Sequence, residues 1–300
     1  MSVRADTGVA AFDVGGTSTR CAIVDGARVH ERIVRPSVRG AGLADDLGLA
    51  LDELLDRAPS KIAEAVAISI PGPLSADRRS VAFTGNLELR DYPLADLLEQ
   101  RTGRPIVIDD DANCAAYGEA VHGAAKGFRT SVTIVVGTGI GAGVVIDGRV
   151  YRGAHSLAGE LGHMPVERNG PLCSCGRHGC LEAMANGGAL LRRAGESFAS
   201  PEDVFGAAAR GETRAVEAVE ETAYYLAVGI ATAAMVVDPN CIVLTGGIGR
   251  QPMLVDAARA AARGLSVEPV DRFIDVRAGA LGDDGGLVGA ALLVTGNAGR

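Results

Sequence analysis

The segment VAAFDVGGTSTRCAIVDG, Val9 to Gly26, has the pattern of a strand, a Gly-rich turn and a returning strand. Val9 to Phe12 is the first apolar strand, Asp13-Val14-Gly15-Gly16-Thr17 the turn, Arg20 to Val24 the second strand, and Asp25-Gly26 turns the chain again. An element of the same design recurs in mid-chain as TIVVGTGIGAGVVIDG, Thr133 to Gly148. There an apolar strand leads into Gly137-Thr138-Gly139, another runs through Val144-Val145-Ile146, and Asp147-Gly148 closes the unit. Gly16 to Arg28 and Gly137 to Arg149 are equally spaced. One module near the start of each half predicts two related domains, each with its own phosphate-sized loop.

The intervening chain alternates helical and strand patterns. A helix is expected over Ala44 to Arg57, a buried strand over Ala65 to Ile70 ended by Pro71-Gly72-Pro73, a helix near Leu94 to Arg101, and a strand over Pro105 to Ile108. Beyond Cys180 the pattern is mostly helical, with Ala189 to Ala194, Val204 to Ala209 and a long run from Ala215 to Val237 that Asp238-Pro239 stops. Cys241 to Leu244 then forms a strand running into Gly246-Gly247. This alternation defines an α/β protein. The domain boundary is expected near residues 112 to 118, giving domains 1–113 and 114–300, with the C-terminal helix able to pack back on the first.

Composition narrows the function. The 300 residues are 47% hydrophobic and 22% charged, an ordinary globular balance. A formal charge of −8 argues against a nucleic-acid partner, because phosphate backbones are held by clustered Lys and Arg. The N-terminus lacks the apolar core of a signal peptide, and no run approaches the roughly 18 apolar residues of a membrane helix. A cytoplasmic location is expected. The six cysteines are therefore not read as disulfides. Cys21, Cys114 and Cys241 lie in apolar contexts and read as buried thiols.

Glycines after a strand let backbone N–H groups point into a concave turn that a phosphate can fill, and both Gly15-Gly16-Thr17 and Gly137-Thr138-Gly139 have this form. Thr17 and Thr138 add hydroxyl donors, and Asp13, at its strand end, can hold a metal-bound water. A single such loop is as readily a plain hairpin turn; two matched loops favour phosphate. Asp109, Asp110 and Asp111 end the strand from Pro105, just before a helix expected over Ala112 to Val121. A helix N-cap needs fewer acids than this, and like charges repel, a cost tolerated where proton transfer or polar ligand binding occurs. His163, Cys173, Cys175 and Cys180 offer one imidazole and three thiolates, the donor set that zinc prefers. Four protein ligands make a closed, structural site, and Gly176 and Gly179 let the chain curl around an ion. His178 is a competing ligand.

With these motifs on view, the chain resembles the ROK family (repressors, uncharacterised reading frames, kinases) of the sugar kinase, heat-shock ATPase and actin superfamily. The resemblance runs from Asp13-Val14-Gly15-Gly16-Thr17 and Arg20 through Pro71-Gly72-Pro73, Gly85-Asn86-Leu87, Asp111-Ala112-Asn113 and the second Gly-Thr-Gly loop. It continues through Glu160, Gly162-His163, the Cys173-to-Glu182 segment and Gly246-Gly247. It implies a two-domain actin-like ATPase (ribonuclease H-like) fold with a central cleft. ATP would be held by Asp13, Gly15, Gly16, Thr17, Gly137, Thr138 and Gly139, with Gly246 and Gly247 near the nucleoside and Mg2+ bridging the phosphates. The sugar would meet Asn86, Asp110, Asp111, Glu160, His163 and Glu182, with Asp111 as general base. Taken alone, Glu182 also reads as a helix-capping residue or a surface charge.

The family motif has Asn where this chain has Asp110, which as a carboxylate only accepts hydrogen bonds, so the pattern of sugar hydroxyls recognised is expected to differ. One nitrogen of His163 would bind zinc while the other faces the sugar. The activity implied is ATP-dependent phosphorylation of a hexose hydroxyl, glucose at its 6-hydroxyl first, with N-acetylmannosamine, N-acetylglucosamine, fructose and allose as alternatives and polyphosphate as an alternative donor. The family's regulators carry a helix-turn-helix ahead of the first motif; only 12 residues precede Asp13 here, so a sugar-sensing repressor ranks below the kinase. A catalytically silent sugar-binding protein also ranks lower, since both loops and Asp111 are present. A homodimer or homotetramer is expected.

Overall fold

A computed structural model describes residues 8–57 and 62–296; Met1 to Thr7, part of the N-terminal reading, lie outside them. The chain forms two compact units, Met1–His122 with Arg149–Ala158 and Asp284–Arg300, and Gly123–Gly148 with Gly159–Asp283.

In the first unit β1 (Val9–Val14), β2 (Ser18–Asp25) and β3 (Arg28–Pro36) form an antiparallel meander, followed by α1 (Leu43–Arg57) and β4 (Val66–Ile70). The hairpin β5 (Val81–Thr84) and β6 (Leu89–Tyr92), α2 (Leu94–Thr102), β7 (Ile106–Asp110) and α3 (Asp111–Val121) complete the run. The sheet order is β3-β2-β1-β4-β7, with β4 parallel to both β1 and β7. β4 is buried at every position, as a strand covered on both faces must be. On α1, Leu43, Leu47, Ala50, Leu51 and Leu54 recur at helical spacing and bury one face, while Asp45 and Asp46 favour its first turn.

A second sheet repeats the plan. Its strands are β8 (Ser131–Val136), β9 (Ile140–Ile146), β10 (Arg149–Tyr151), β11 (Cys241–Thr245) and β12 (Val276–Ala278), in the order β10-β9-β8-β11-β12. β8 and β9 are antiparallel, whereas β11 runs parallel to β8 and β12. Position for position this is the order of the first sheet, and each Gly-Thr turn joins the central strand to its antiparallel neighbour. Between β10 and β11 come α4 (Leu181–Ala185), α5 (Gly187–Ala194), α6 (Pro201–Ala209) and α7 (Thr213–Val237); α8 (Pro252–Leu265) precedes β12. α7 buries Leu226, Ile230 and a run of alanines against α5, α6 and α8. It stops at Asp238, which takes a left-handed conformation before Pro239.

α9 (Gly285–Thr295) returns to the first unit and packs on α3 and β1. A side chain at Gly289 would run into the Cys114 carbonyl, so the two helices meet backbone to backbone. That packing carries α3 with the first unit, so the units part after His122 rather than at residue 113. No helix among the described residues is long and apolar enough to cross a membrane.

Candidate active site

In the first unit, strand register assembles the acidic groups. Asp13 pairs with Ser69, and Ser69 with Asp109, so the three side chains share one face of three parallel strand ends. Ser69 Oγ donates to Asp13 Oδ1 at 3.0 Å, and Arg20 approaches Asp13 Oδ2 at 3.6 Å. The N-terminal turn of α9 lies against this carboxylate: a Cβ on Gly286 would sit 2.7 Å from Asp13 Oδ1. The first loop is braced by Ser37, whose hydroxyl donates to the Gly15 carbonyl at 2.6 Å and whose N–H donates to the Thr17 carbonyl at 3.1 Å. Asn86 abuts the loop, 3.0 Å from where a Gly16 Cβ would stand.

The three consecutive aspartates have three different situations. Asp109 is 2% exposed and accepts from Arg152 through Nε at 2.8 Å and through Nη2. Its other oxygen accepts from the Asp110 N–H at 2.9 Å and from Asn113 Nδ2 at 3.1 Å. Asp110 caps α3, Oδ1 accepting from the N–H groups of Ala112 at 3.0 Å and Asn113 at 3.3 Å. Asp111 opens the helix half-buried. Asp110 is thus the capping carboxylate and Asp111, the next residue, is the first of the helix. Arg152 went unread in the sequence, because nothing near it marks it out and its partner is 43 residues away. Arg78, half-buried in a left-handed conformation, faces the same pair; burial and then the Arg152 charge lower its pKa, while Asp109 opposes them.

In the second unit, the loop at Gly137-Thr138-Gly139 lies beside the Gly246-Gly247 turn. Gly246 takes φ +86°, and a Cβ there would lie 2.6 Å from the Val136 carbonyl, so only glycine fits. The Ile248 N–H donates to that carbonyl at 3.1 Å. Glu160 and His163 stand at the two ends of a 3-10 turn whose Gly162 packs directly on the Ile140 carbonyl.

The donor atoms of His163, Cys173, Cys175 and Cys180 all lie within 4.8 Å of one another. His163 Nδ1 is 3.6 Å from Cys173 Sγ, and Cys175 and Cys180 sulfurs are 3.6 Å apart. The other ring nitrogen, Nε2, faces Glu160 Oε2 at 3.9 Å. His178 instead contacts the Gly170 carbonyl at 3.2 Å. Burial, reinforced by hydrogen bonds from Cys175 and Cys173, pushes the Cys180 thiol up to about 12, and burial raises Cys173. As thiolates the three sulfurs would repel one another, and a soft divalent cation held with His163 would supply the counter-charge. Glu182 has both oxygens engaged: Oε2 accepts from the Ile140 N–H at 3.0 Å, and Oε1 accepts from Ser174 Oγ at 2.6 Å. Cys21, Cys114 and Cys241 are buried.

Two sheets of one strand order, each with a Gly-Thr turn beside its central strand, define the two-domain actin-like ATPase (ribonuclease H-like) fold. Within it, the chain belongs to the ROK family, which it matches over residues 9–297. It is 31% identical to a glucokinase of Halalkalibacterium halodurans, over 94% of this chain and 93% of that protein. It is 36% identical to an N-acetylmannosamine kinase of Citrobacter koseri, over 96% and 98% of the two. Among solved structures, a ROK family glucokinase from Streptomyces griseus in complex with glucose and AMPPNP superposes with a TM-score of 0.86 at 31% identity, covering 95% of this chain and 98% of that one.

Proposed function

We infer that the protein is a sugar kinase that transfers the γ-phosphoryl group of ATP to a hexose hydroxyl, glucose at its 6-hydroxyl first. The observation that carries this is the presence of two phosphate-sized loops on sheets of identical order together with an acid, Asp111, just past a strand end. Phosphoryl transfer asks the protein mainly to position reactants and neutralise charge. Backbone N–H groups of Gly15, Gly16 and Thr17 and of Gly137, Thr138 and Gly139 hold the phosphates, and Asp13 holds a water of the Mg2+ that accompanies ATP. Gly246 and Gly247 lie toward the nucleoside. Asp111 accepts the proton as the sugar oxygen attacks the γ-phosphorus and the bond to the β-phosphate breaks, releasing ADP.

Asn86, Asp110, Glu160 and His163 bind the sugar hydroxyls, and Glu182, each of whose oxygens already accepts one hydrogen bond, offers them its remaining lone pairs. Asp110 spends one oxygen on the helix cap, and as a carboxylate it selects hydroxyls that donate. His163, Cys173, Cys175 and Cys180 would hold zinc, which when bound would fix the His163 ring so that Nε2 presents to the sugar. The protein acts in the cytoplasm as a homodimer or homotetramer, which light scattering distinguishes.

A coupled ADP-release assay with glucose, N-acetylmannosamine, N-acetylglucosamine, fructose and allose tests the reading, with polyphosphate as a second donor. ATP consumption that depends on one of these sugars is expected. Sugar binding without turnover on any of them would establish a silent sugar-binding protein instead.

A further inference from the structure

Three hydrogen bonds run from one short segment into the second phosphate loop. Asn186 Nδ2 donates to the Thr138 carbonyl at 2.8 Å, the Gly187 N–H donates to the Gly137 carbonyl at 2.9 Å, and Glu182 Oε2 accepts from the Ile140 N–H at 3.0 Å. Residues 182–187 therefore hold three consecutive peptide groups of the loop. Because a trans peptide sets its N–H opposite its C=O, fixing the carbonyls of Gly137 and Thr138 toward this segment aims the N–H groups of Thr138 and Gly139 the other way. A carbonyl that accepts a hydrogen bond also strengthens the donor at the far end of the same peptide.

The segment is itself tied to the cysteine cluster. Cys180 immediately precedes α4, and Glu182 Oε1 accepts from Ser174 Oγ at 2.6 Å and lies 3.5 Å from Cys173 Sγ. One carboxylate thus spans from the cluster to the loop. The available room is small: a Cβ on Gly139 would stand 2.7 Å from Glu182 Oε2.

We propose that Asn186 and Glu182 are positioning residues that aim the second loop's N–H groups at phosphate and make nucleotide affinity depend on the state of the His163, Cys173, Cys175 and Cys180 cluster. This rests on reading Gly137-Thr138-Gly139 as a phosphate loop. The cluster then serves both substrates, the sugar through His163 and the nucleotide through Glu182 and Asn186.

Asn186→Asp is the discriminating variant. It keeps the oxygen that caps α5 by accepting from the Ala189 N–H at 2.8 Å, but turns the donor on Thr138 into a second acceptor. Calorimetric titration with MgADP, without sugar, should show affinity about tenfold weaker than in the unaltered protein, with glucose affinity and melting temperature little changed. Stripping the metal from the unaltered protein should weaken MgADP binding likewise and speed hydrogen exchange at Thr138, Gly139 and Ile140. MgADP affinity within twofold in Asn186→Asp would overturn the proposal while leaving the loop's reading intact. Absence of MgADP binding in the unaltered protein would overturn both. Parallel loss of sugar and nucleotide affinity with the melting temperature would show general loosening and also overturn it.

Discussion

Removing the Arg152 guanidinium tests whether the buried ion pair organises the acidic strand end. Arg152→Met retains most of the side-chain volume and leaves Asp109 charged, with its side chain 2% exposed and that of Arg152 14% exposed. Breaking one side of a fully buried pair costs about 3–5 kcal/mol, mostly from the uncompensated charge. Two features lower that figure here. Asp109 keeps the Asp110 N–H and Asn113 Nδ2 as donors, and Arg78 is near enough to share its field. A loss of about 2–3 kcal/mol follows, equivalent to a midpoint lower by roughly 4–12 °C for a unit of this size.

The same loss frees the strand end that sets the start of α3, so turnover should fall about tenfold or more, with a smaller change in KM. Pairing Arg152→Met with Asp109→Asn removes the stranded charge and should recover more than half of the stability lost. Circular dichroism melts and denaturant titrations of the three variants, beside steady-state kinetics, give both readouts. A single variant within about 0.5 kcal/mol of the parent, or a double variant no better than the single one, would refute the reasoning.

Other outcomes follow from the same geometry. Asp111→Asn should lower turnover by about 10²- to 10⁴-fold with sugar affinity little altered, whereas Asp110→Asn should change sugar preference more than turnover; kinetics with separately measured sugar binding decide, and near-normal turnover in Asp111→Asn would move the base elsewhere. The purified protein should carry about one zinc per chain by elemental analysis, and chelation should loosen the stretch from Glu160 to Glu182 in hydrogen exchange. Burial raises the Cys21 thiol from 9.0 to about 11, so the folded state holds this proton where the unfolded chain has released it. Its contribution is complete below about pH 9 and is lost as pH rises toward 11, so denaturant titrations across that window should show a steeper fall in the parent than in Cys21→Ala.

Much of the fold was legible because its signals are local. The strand, Gly-Thr turn and strand at Val9 and again at Thr133 became β1–β2 and β8–β9, and the equal spacing from Gly16 to Arg28 and from Gly137 to Arg149 became two sheets of one order. Helices with a clean apolar stripe, such as α1, or a firm stop, such as α7 at Asp238-Pro239, fell within a residue or two of their expected limits. α9 was harder to delimit, because a helix buried nearly all round shows little periodicity. The limits of the first unit depend on that same helix. α3 belongs there because Gly289 lets α9 approach the Cys114 backbone, a contact between residues far apart in sequence.

The candidate site divides along the same line. Residues whose chemistry is concentrated in a short stretch, such as Asp109 to Asp111 or Cys173 to Cys180, were visible as anomalies of composition. Residues that hold those groups in place were not: Arg152 reaches Asp109 across 43 positions, and Asn186 reaches Thr138 across 48. An arginine just after a short strand and an asparagine at a helix start are ordinary in themselves, and only the fold gives them partners. The duplicated sheet makes the difference between the halves informative. In the first unit the end of the outer parallel strand supplies a carboxylate, Asp109, held by an arginine. In the second, a cysteine-rich insertion between β10 and β11 sends a glutamate and an asparagine back to the Gly-Thr turn. If the two halves arose from one module, the phosphate loop is the inherited part, and each half has since acquired its own device for holding it or the group beside it.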